Sequence, residues 1–290
     1  MSVVIQDNQV RATILEHGAQ PVSLYSKKDN IEYIWPADQK YWLWHAPLLF
    51  PIEGKLKNGT CYIDGQPYHM SQHGFARDQD FNIESKSENK VELSLTYSEQ
   101  TLKMLPYKFK LVVIYEIVSG TLRTTYEVMN LDSKDIYFTV GSHPGFNVPL
   151  NEDEKYEDYY IELTSPYRLL PLNTDGFVDV KNPNINDKNK INITRDLFKD
   201  DALVLKFDSP NVSVSIKSRN NGHGVRVSSD NAKYWGIWSC YPKAGKFVCI
   251  EPWWGITDTV DTDQDFTHKF GNNCLGVGET YTANYKIKPF

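Results

Sequence analysis

The sequence predicts an all-β fold, arranged as a large antiparallel β-sandwich or barrel. Many short runs alternate apolar and polar residues with a period of two, which is the pattern of half-buried strands. Segments with helical character are few, and long helices do not separate the strand-like runs, which disfavours a parallel sheet with crossover helices. The chain has 290 residues, a length that suits one large domain or two ordinary ones.

The clearest strand signals lie in the first half of the chain. Apolar residues take every second position in segments 91–97 and 109–117, and in segment 122–128 with Thr124 as the one polar exception. Ser119 and Gly120 separate the last two segments, and a two-residue connection of this kind predicts a tight hairpin.

Strand-like runs of the same type continue through the second half. We predict further strands from NVSVSIKS (211–218), GVRVSS (224–229), YWGIWSC (234–240), KFVCIEP (246–252) and ETYTANYKI (279–287).

Helical segments and irregular segments are short. Residues 98–106 predict a helical turn that Ser98 caps and Pro106 ends, and residues 194–205 could hold one more helix. Residues 174–196 are rich in Asn, Asp and Lys, which predicts a long polar excursion on the surface. A linker between two domains is the alternative, but similar strands continue on both sides. We therefore predict one domain over residues 1–290.

The composition argues against several classes of protein. A net charge of -6 lacks the basic footprint of a nucleic-acid binder. The N-terminal residues lack the pattern of a signal peptide, and no apolar run approaches the roughly 20 residues of a membrane span. The four cysteines form no C-x-x-C pair. We expect a cytoplasmic protein with free, buried thiols and with neither nucleic-acid nor membrane partners.

Two of the seven histidines have an unusual setting. His73 precedes Gly74, which permits close approach of another backbone or of a ligand, and Arg77 supplies a planar array of donors nearby. His143 ends an alternating run and enters a Pro-Gly turn, so its ring could project from a sheet edge. For either histidine alone, a structural role in the turn is the stronger interpretation.

Glu251 is a carboxylate in an apolar setting. It follows Phe247 and Cys249 at a spacing of two residues, which would place all three on one face of a strand. Pro252 and two tryptophans come directly after it. A buried carboxylate is costly unless it is partnered or used, and burial would raise its pKa toward the range of a general base. The alternative is that Pro252 ends the strand and Glu251 is solvated. Both interpretations are open.

Other candidate residues and motifs carry less information. Asp200 and Asp201 precede an apolar run, where a capping role is the simplest interpretation. The common signatures of hydrolases, nucleotide-binding proteins and zinc proteases do not occur. The histidine and glutamate candidates lack the spacing of metal ligands. We therefore expect no metal and no cofactor. The 13% aromatic content suits strand surfaces and sugar-binding clefts equally.

Taken together and in order, five segments resemble the aldose 1-epimerase (galactose mutarotase) family, most closely its bacterial LacX-like branch. Each segment is short and has little specificity alone. All five, however, occur in the same order as in the family and span nearly the whole chain, which makes the resemblance much more specific. The resemblance implies a large antiparallel β-sandwich of the galactose mutarotase-like (supersandwich) type, with a sugar cleft on one sheet. The segments are TILEHGAQPVSLY (13–25), PLLFPIEGKLKNGTCYIDGQPYHMSQHGFARD (47–78), GSHPGFNVPL (141–150), DDALVLKF (200–207) and CIEPWWGITD (249–258).

The resemblance also implies an isomerase that interconverts the α and β anomers of a hexose such as galactose or glucose. Glu251 would be the general base at the C1 hydroxyl, and His143 would be the general acid at the ring oxygen. His73 would bind near the ring oxygen. Asp201 would accept hydrogen bonds from sugar hydroxyls, with Asp200 as the adjacent alternative.

One position departs from the family. Lys55 follows Gly54 where the family commonly has an arginine, so the charge is kept but the bidentate fork is lost. Arg77 is a candidate to compensate. The change affects the prediction of the substrate more than that of the reaction.

Three other interpretations are open. A hexose-6-phosphate 1-epimerase would need a cationic pocket, which Lys55 and Arg77 could line. A non-catalytic carbohydrate-binding protein could keep the fold without the acid–base pair, and an all-β interaction protein would leave the five segments as coincidence. The expected partner is a small-molecule sugar, and a homodimer is left open.

Overall fold

A computed structural model describes residues 1–290. Its strands, in chain order, are β1 (Ser2–Gln6), β2 (Val10–Leu15), β3 (Pro21–Ser26), β4 (Ile31–Glu32), β5 (Leu48–Leu49), β6 (Thr60–Ile63), β7 (Gln66–His69), β8 (Asn82–Lys86), β9 (Lys90–Thr96), β10 (Phe109–Val118), β11 (Thr121–Asn130), β12 (Ile136–Phe138), β13 (Val140–Ser142), β14 (Gly145–Asn147), β15 (Tyr159–Leu163), β16 (Tyr167–Leu170), β17 (Asn184–Asn186), β18 (Lys190–Asn192), β19 (Leu203–Lys206), β20 (Val212–Ser218), β21 (Gly224–Ser229), β22 (Tyr234–Trp238), β23 (Phe247–Trp254), β24 (Asn273–Leu275) and β25 (Thr280–Pro289).

Two large antiparallel sheets form a sandwich. The nine-stranded sheet has the order β18-β15-β20-β21-β25-β11-β10-β9-β8, and the eight-stranded sheet has the order β17-β16-β19-β22-β23-β13-β5, with β14 also paired to β23. The first four strands form a separate sheet, while β6-β7 and β12-β24 are two-stranded pairs. The largest hydrophobic cluster contains buried side chains from both large sheets. The predicted all-β antiparallel fold is therefore confirmed.

The hairpin predicted at Ser119 and Gly120 is confirmed. Strands β10 and β11 pair in register up to Val118 and Thr121. Ser119 has φ 51° and Gly120 has φ 73°, and two adjacent positive values are typical of the type I′ turns that match the twist of a hairpin. Alternate residues of β10 are buried, as the period of two predicts.

One of the two predicted helical segments is a helix. Helix α1 (Glu99–Leu102) begins after Ser98, whose side chain accepts a hydrogen bond from the Thr101 amide. In return, the Ser98 amide donates to the Thr101 hydroxyl oxygen. The second segment contains only a 3-10 turn, Arg195–Phe198, before β19 begins. Further 3-10 turns span Lys57–Gly59, Ala76–Asp78 and Tyr156–Asp158.

The polar excursion over 174–196 is mostly exposed, as predicted, but it is not simply a loop. It contains β17 and β18, which extend the edges of the two different large sheets. The four cysteines are unpaired. Cys274 is exposed, so the expectation that all thiols are buried is wrong at that position. None of the helices has the length and apolarity that a membrane crossing requires.

Strand β23 carries Glu251, the carboxylate that the sequence singled out. Its residues are buried on both faces. Val248, Ile250 and Trp254 point into the core between the sheets. The opposite face, which carries Glu251, lies between two smaller hydrophobic clusters, one containing Phe247 and Cys249 and the other Trp253.

Candidate active site

A cleft of about 400 Å³ lies on this outer face of the eight-stranded sheet. Four tryptophans contribute to its walls, namely Trp42, Trp44, Trp238 and Trp253. The six site residues predicted from the sequence also line it, although they come from four separate segments. They are Lys55, His73, Arg77, His143, Asp201 and Glu251.

Glu251 lies in the middle of β23, and the strand continues through Pro252 to Trp254. Of the two interpretations of the sequence, burial is therefore correct, and Glu251 is 1% exposed. Its neighbour in register on β22 is Gly236. A Cβ atom at Gly236 would come within 2.2 Å of the Trp253 indole. Glycine at this position thus lets the indole lie across β22 beside Glu251.

His143 faces Glu251 because of strand register. Gly141, in the middle of β13, pairs with Trp253, and Gly145, at the start of β14, pairs with Cys249. His143 occupies the interruption between these two pairs. Its Nε2 lies 3.2 Å from Oε2 of Glu251, within hydrogen-bonding reach.

The His143 ring is held from several directions. Its backbone amide donates to the Pro47 carbonyl at 3.1 Å. The Trp42 ring lies over the imidazole with centroids 4.9 Å apart, and Trp238 meets it edge-on at 5.6 Å. The ring therefore cannot turn freely away from Glu251.

Burial shifts both members of this pair toward their uncharged forms. It lowers the pKa of His143 to about 3, with a smaller contribution from Arg77. It raises the pKa of Glu251 well above its usual range, and the carboxylates of Glu53 and Asp201 add to the shift. The pair thus holds one proton over a wide range of pH, and that proton resides on Glu251.

His73 is fixed by Gly54. The His73 amide donates to the Gly54 carbonyl at 2.8 Å, and the Gly54 amide donates to Nδ1 of the ring at 3.1 Å. Since Nδ1 accepts, the neutral ring carries its proton on Nε2. Burial lowers the pKa of His73 well below its usual value, and neighbouring His143 lowers it further. The close approach predicted at Gly74 is confirmed, because a Cβ there would lie 2.4 Å from the Phe50 carbonyl oxygen.

The two cations of the cleft already have partners. Arg77 donates from Nη2 to the Gln72 carbonyl at 2.9 Å and lies over the Trp44 ring at 4.8 Å. Lys55 donates from Nζ to the Asp175 carbonyl at 3.2 Å. Neither side chain is extended into the cleft without a contact of its own.

Asp201, and not Asp200, lines the cleft. Asp201 has φ 78°, a left-handed conformation that ends the preceding 3-10 turn. Its Oδ1 accepts from the Ala202 amide at 2.9 Å. Of the two aspartates between which the sequence left the choice open, Asp201 is therefore the one that faces the cleft.

Glu53 is a cleft residue that the sequence interpretation missed. It is 2% exposed, and its Oε1 lies 3.9 Å from Nδ1 of His73. Its amide donates to Thr139 Oγ1 at 2.6 Å. Burial raises the pKa of Glu53 to about 8, against the attraction of Lys269. A signal was available, because Glu53 follows the apolar run LLFPI and precedes Gly54, a setting similar to that of Glu251.

Unpartnered polar atoms concentrate in the cleft. Seven buried side-chain nitrogen or oxygen atoms lack a hydrogen-bond partner, and five of them belong to cleft residues. Buried polar groups are normally satisfied, so such a concentration indicates a site that a polar ligand completes. The five are Glu53 Oε2, Arg77 Nε, His143 Nδ1, Glu251 Oε1 and Trp253 Nε1.

One set of side chains has the donor types of a metal site. The ligand atoms of His143, Cys249 and Glu251 all lie within 4.8 Å of one another, and all three residues are buried. Cys249 points to the same face of β23 as Glu251.

Comparisons with known proteins agree with this architecture. The family model described as aldose 1-epimerase matches residues 1–288. The crystal structure of a galactose mutarotase related enzyme from Lactobacillus acidophilus superposes with a TM-score of 0.96 at 36% identity, covering 100% of this chain and 97% of that one. A galactose mutarotase-like protein from Lactobacillus casei gives a TM-score of 0.92 at 31% identity, with 100% of both chains covered.

The fold, the cleft and these matches define the class: the chain belongs to the aldose 1-epimerase family. Within it, the chain is similar to the plasmid-encoded protein LacX of Lactococcus lactis subsp. lactis, with 32% identity over 272 residues and 90% of each chain covered. The resemblance to the LacX-like branch is thereby confirmed.

Proposed function

We propose that the protein is an aldose 1-epimerase that interconverts the α and β anomers of a free hexose. The observation that carries the proposal is the buried His143–Glu251 pair, with 3.2 Å between Nε2 and Oε2, in a cleft of sugar size. Opening a pyranose ring removes a proton from the C1 hydroxyl and delivers one to the neighbouring ring oxygen. A donor and an acceptor side by side meet that requirement.

The protonation of the pair is consistent with these roles. Before sugar binds, Glu251 holds the proton and His143 is neutral. Transfer of this proton across the gap gives a carboxylate and an imidazolium without changing the number of protons bound. Sugar hydroxyls that donate to the carboxylate favour the charged form. Glu251 then takes the C1 hydroxyl proton while His143 protonates the ring oxygen, and after rotation about C1–C2 the two roles reverse.

Neighbouring side chains would hold the sugar. The Nε2–H of His73 is a donor for the ring oxygen or an adjacent hydroxyl, and the carboxylate of Asp201 is an acceptor for other hydroxyls. The faces of Trp42 and Trp238 are apolar platforms for the C–H faces of a pyranose.

A free hexose is favoured over a hexose 6-phosphate. The two cations in the cleft, Lys55 and Arg77, are engaged by carbonyl oxygens and by Trp44. Asp201 supplies a carboxylate in the same space, and its negative charge disfavours a phosphate dianion.

The test is anomer exchange, followed by polarimetry or by exchange NMR, with a panel of free and phosphorylated sugars. Glu251→Gln and His143→Asn should each lower the catalysed rate by about 10²- to 10⁴-fold, because each removes one proton-transfer group. Sugar binding, measured separately by calorimetry, should persist in at least the glutamine variant.

Glu88→Gln and His223→Asn are matched controls outside the cleft and should keep the wild-type rate. A wild-type protein that binds sugar but does not exceed buffer would instead be a carbohydrate-binding protein. Strong selectivity for phosphorylated sugars would reject the free-hexose assignment.

A further inference from the structure

We propose that His143, Cys249 and Glu251 form a binding site for Zn²⁺ in the floor of the cleft. The three ligand atoms are one imidazole nitrogen, one thiol sulfur and one carboxylate oxygen, all within 4.8 Å of one another. Borderline-soft Zn²⁺ accepts this combination of donors, and three protein ligands leave a fourth position for water or a sugar hydroxyl.

Two of the three ligand atoms already have the separation of a zinc site. In a tetrahedral zinc site with bonds of about 2.0 Å to nitrogen and oxygen, those two atoms lie about 3.3 Å apart. Nε2 of His143 and Oε2 of Glu251 are already 3.2 Å apart. An ion between them would replace the present contact without requiring either strand to move apart.

The sheet positions the third ligand. Cys249 and Glu251 are two residues apart on β23 and point to the same face. Gly145 of β14 pairs directly with Cys249, so His143 is held beside both side chains. All three ligands therefore stand on strands or at a strand end, which gives a more precise site than mobile loops would.

The charges of the three ligands also balance that of the ion. Zn²⁺ releases one proton from the thiol and one from the carboxyl group and forms a neutral complex with the resulting anions and the neutral imidazole. Oε1 of Glu251 and Nδ1 of His143, which are buried without partners, remain available to order water around the site.

Occupation of this site would hold the two groups to which the proposed epimerase activity assigns the proton transfers. An enzyme loaded with Zn²⁺ should therefore be inhibited, and this consequence alone rests on the proposed function.

The experiment measures metal binding without sugar. All measurements use the intact protein with Cys274→Ser, which removes the exposed thiol. Metal is first removed with a chelator. The metal-free protein is then titrated with ZnCl₂, followed by calorimetry, and with Co²⁺, followed by absorption spectroscopy. We expect one equivalent bound and a thiolate-to-cobalt charge-transfer band. Cys249→Ser and Cys249→Ala should each weaken binding by at least about tenfold and abolish the band.

Cys240→Ser is the matched control, because Cys240 belongs to the same small cluster but its thiol already donates to the Lys243 carbonyl at 3.3 Å. It should bind Zn²⁺ as the parent does. Circular dichroism identifies any variant that fails to fold, and two replacements at Cys249 keep the test decisive. Equal affinity of the folded Cys249 and Cys240 variants, or cobalt binding without the thiolate band, would overturn the site. Loss of epimerase activity would not affect either readout.

Discussion

Glu53 and Glu251 are far apart in the sequence but lie in one cleft, where each is almost completely buried. Burial raises the pKa of both carboxyl groups, and the charge on Glu53 further raises that of Glu251. A carboxyl whose folded pKa is raised contributes stability that is complete below its unfolded value and is lost as the pH rises through the folded value. For Glu53 that loss extends from about pH 4.5 to about pH 8.

The same coupling predicts a shift in the pH profile of activity. The catalytic pair loses its single proton when the pH rises past the raised pKa of Glu251. The rate of anomer exchange should then fall, and this fall is the alkaline limb of the pH–rate profile. Glu53→Gln removes a negative charge that opposes ionisation of Glu251, so its pKa should fall and the alkaline limb should move to lower pH. Anomer exchange rates measured across the alkaline range, with Glu88→Gln as control, check this. A limb that stays in place or moves to higher pH would show that Glu53 does not act on Glu251.

Strands β22 and β23 form the floor of the cleft. Gly236 leaves a gap on β22 that the Trp253 indole fills from β23. The interruption between β13 and β14 brings His143 opposite Glu251. The break in pairing thus positions the two groups on which the proposed chemistry depends, and the missing side chain of Gly236 makes room for the indole beside them.

Gly236→Ala should disturb this arrangement. The added Cβ would come within 2.2 Å of the Trp253 ring, which must move. We expect a loss of about 1–3 kcal/mol in the free energy of unfolding, as for other overpacked sites, together with weaker sugar binding. Chemical denaturation and calorimetric titration with sugar measure the two effects.

Gly278→Ala is the control, since it has φ 74° but no atoms within 4 Å of the added Cβ. It should cost about 1–2 kcal/mol through backbone strain and leave sugar binding unchanged. If Gly236→Ala lowers stability but binds sugar as the parent does, the indole does not shape the binding site.

At the scale of the whole molecule, one hydrophobic cluster joins the two large sheets. It contains residues from Val3 near the N-terminus to Ile287 near the C-terminus. The polar excursion over 174–196 contributes one edge strand to each sheet and so does not separate two bodies. A shared core of this kind favours a single cooperative unit.

We therefore predict a single unfolding transition in urea. Tryptophan fluorescence mainly reports the eight-stranded sheet and the cleft, whereas far-ultraviolet circular dichroism reports all strands. The two midpoints should coincide, since neither sheet can keep its buried face without the other. Two separated midpoints would contradict the prediction of one domain over residues 1–290.

The local elements could be predicted from the pattern of amino acids alone. Alternation gave β9, β10 and β11, Ser119-Gly120 gave the hairpin, and Ser98 gave the helix cap, because each depends on neighbouring residues only. The helix expected over 194–205 is only a single 3-10 turn, because Asp201 has a left-handed conformation and β19 begins at Leu203.

Which side chains meet could not be predicted from local patterns, because it depends on long-range pairing. His143 faces Glu251, and Cys249 lies beside them, through pairing of segments more than a hundred residues apart. The burial of Glu53 likewise depends on residues distant in the chain. Local patterns encode which residues form strands, whereas register and burial arise from long-range packing. The chemistry of this cleft depends on register and burial.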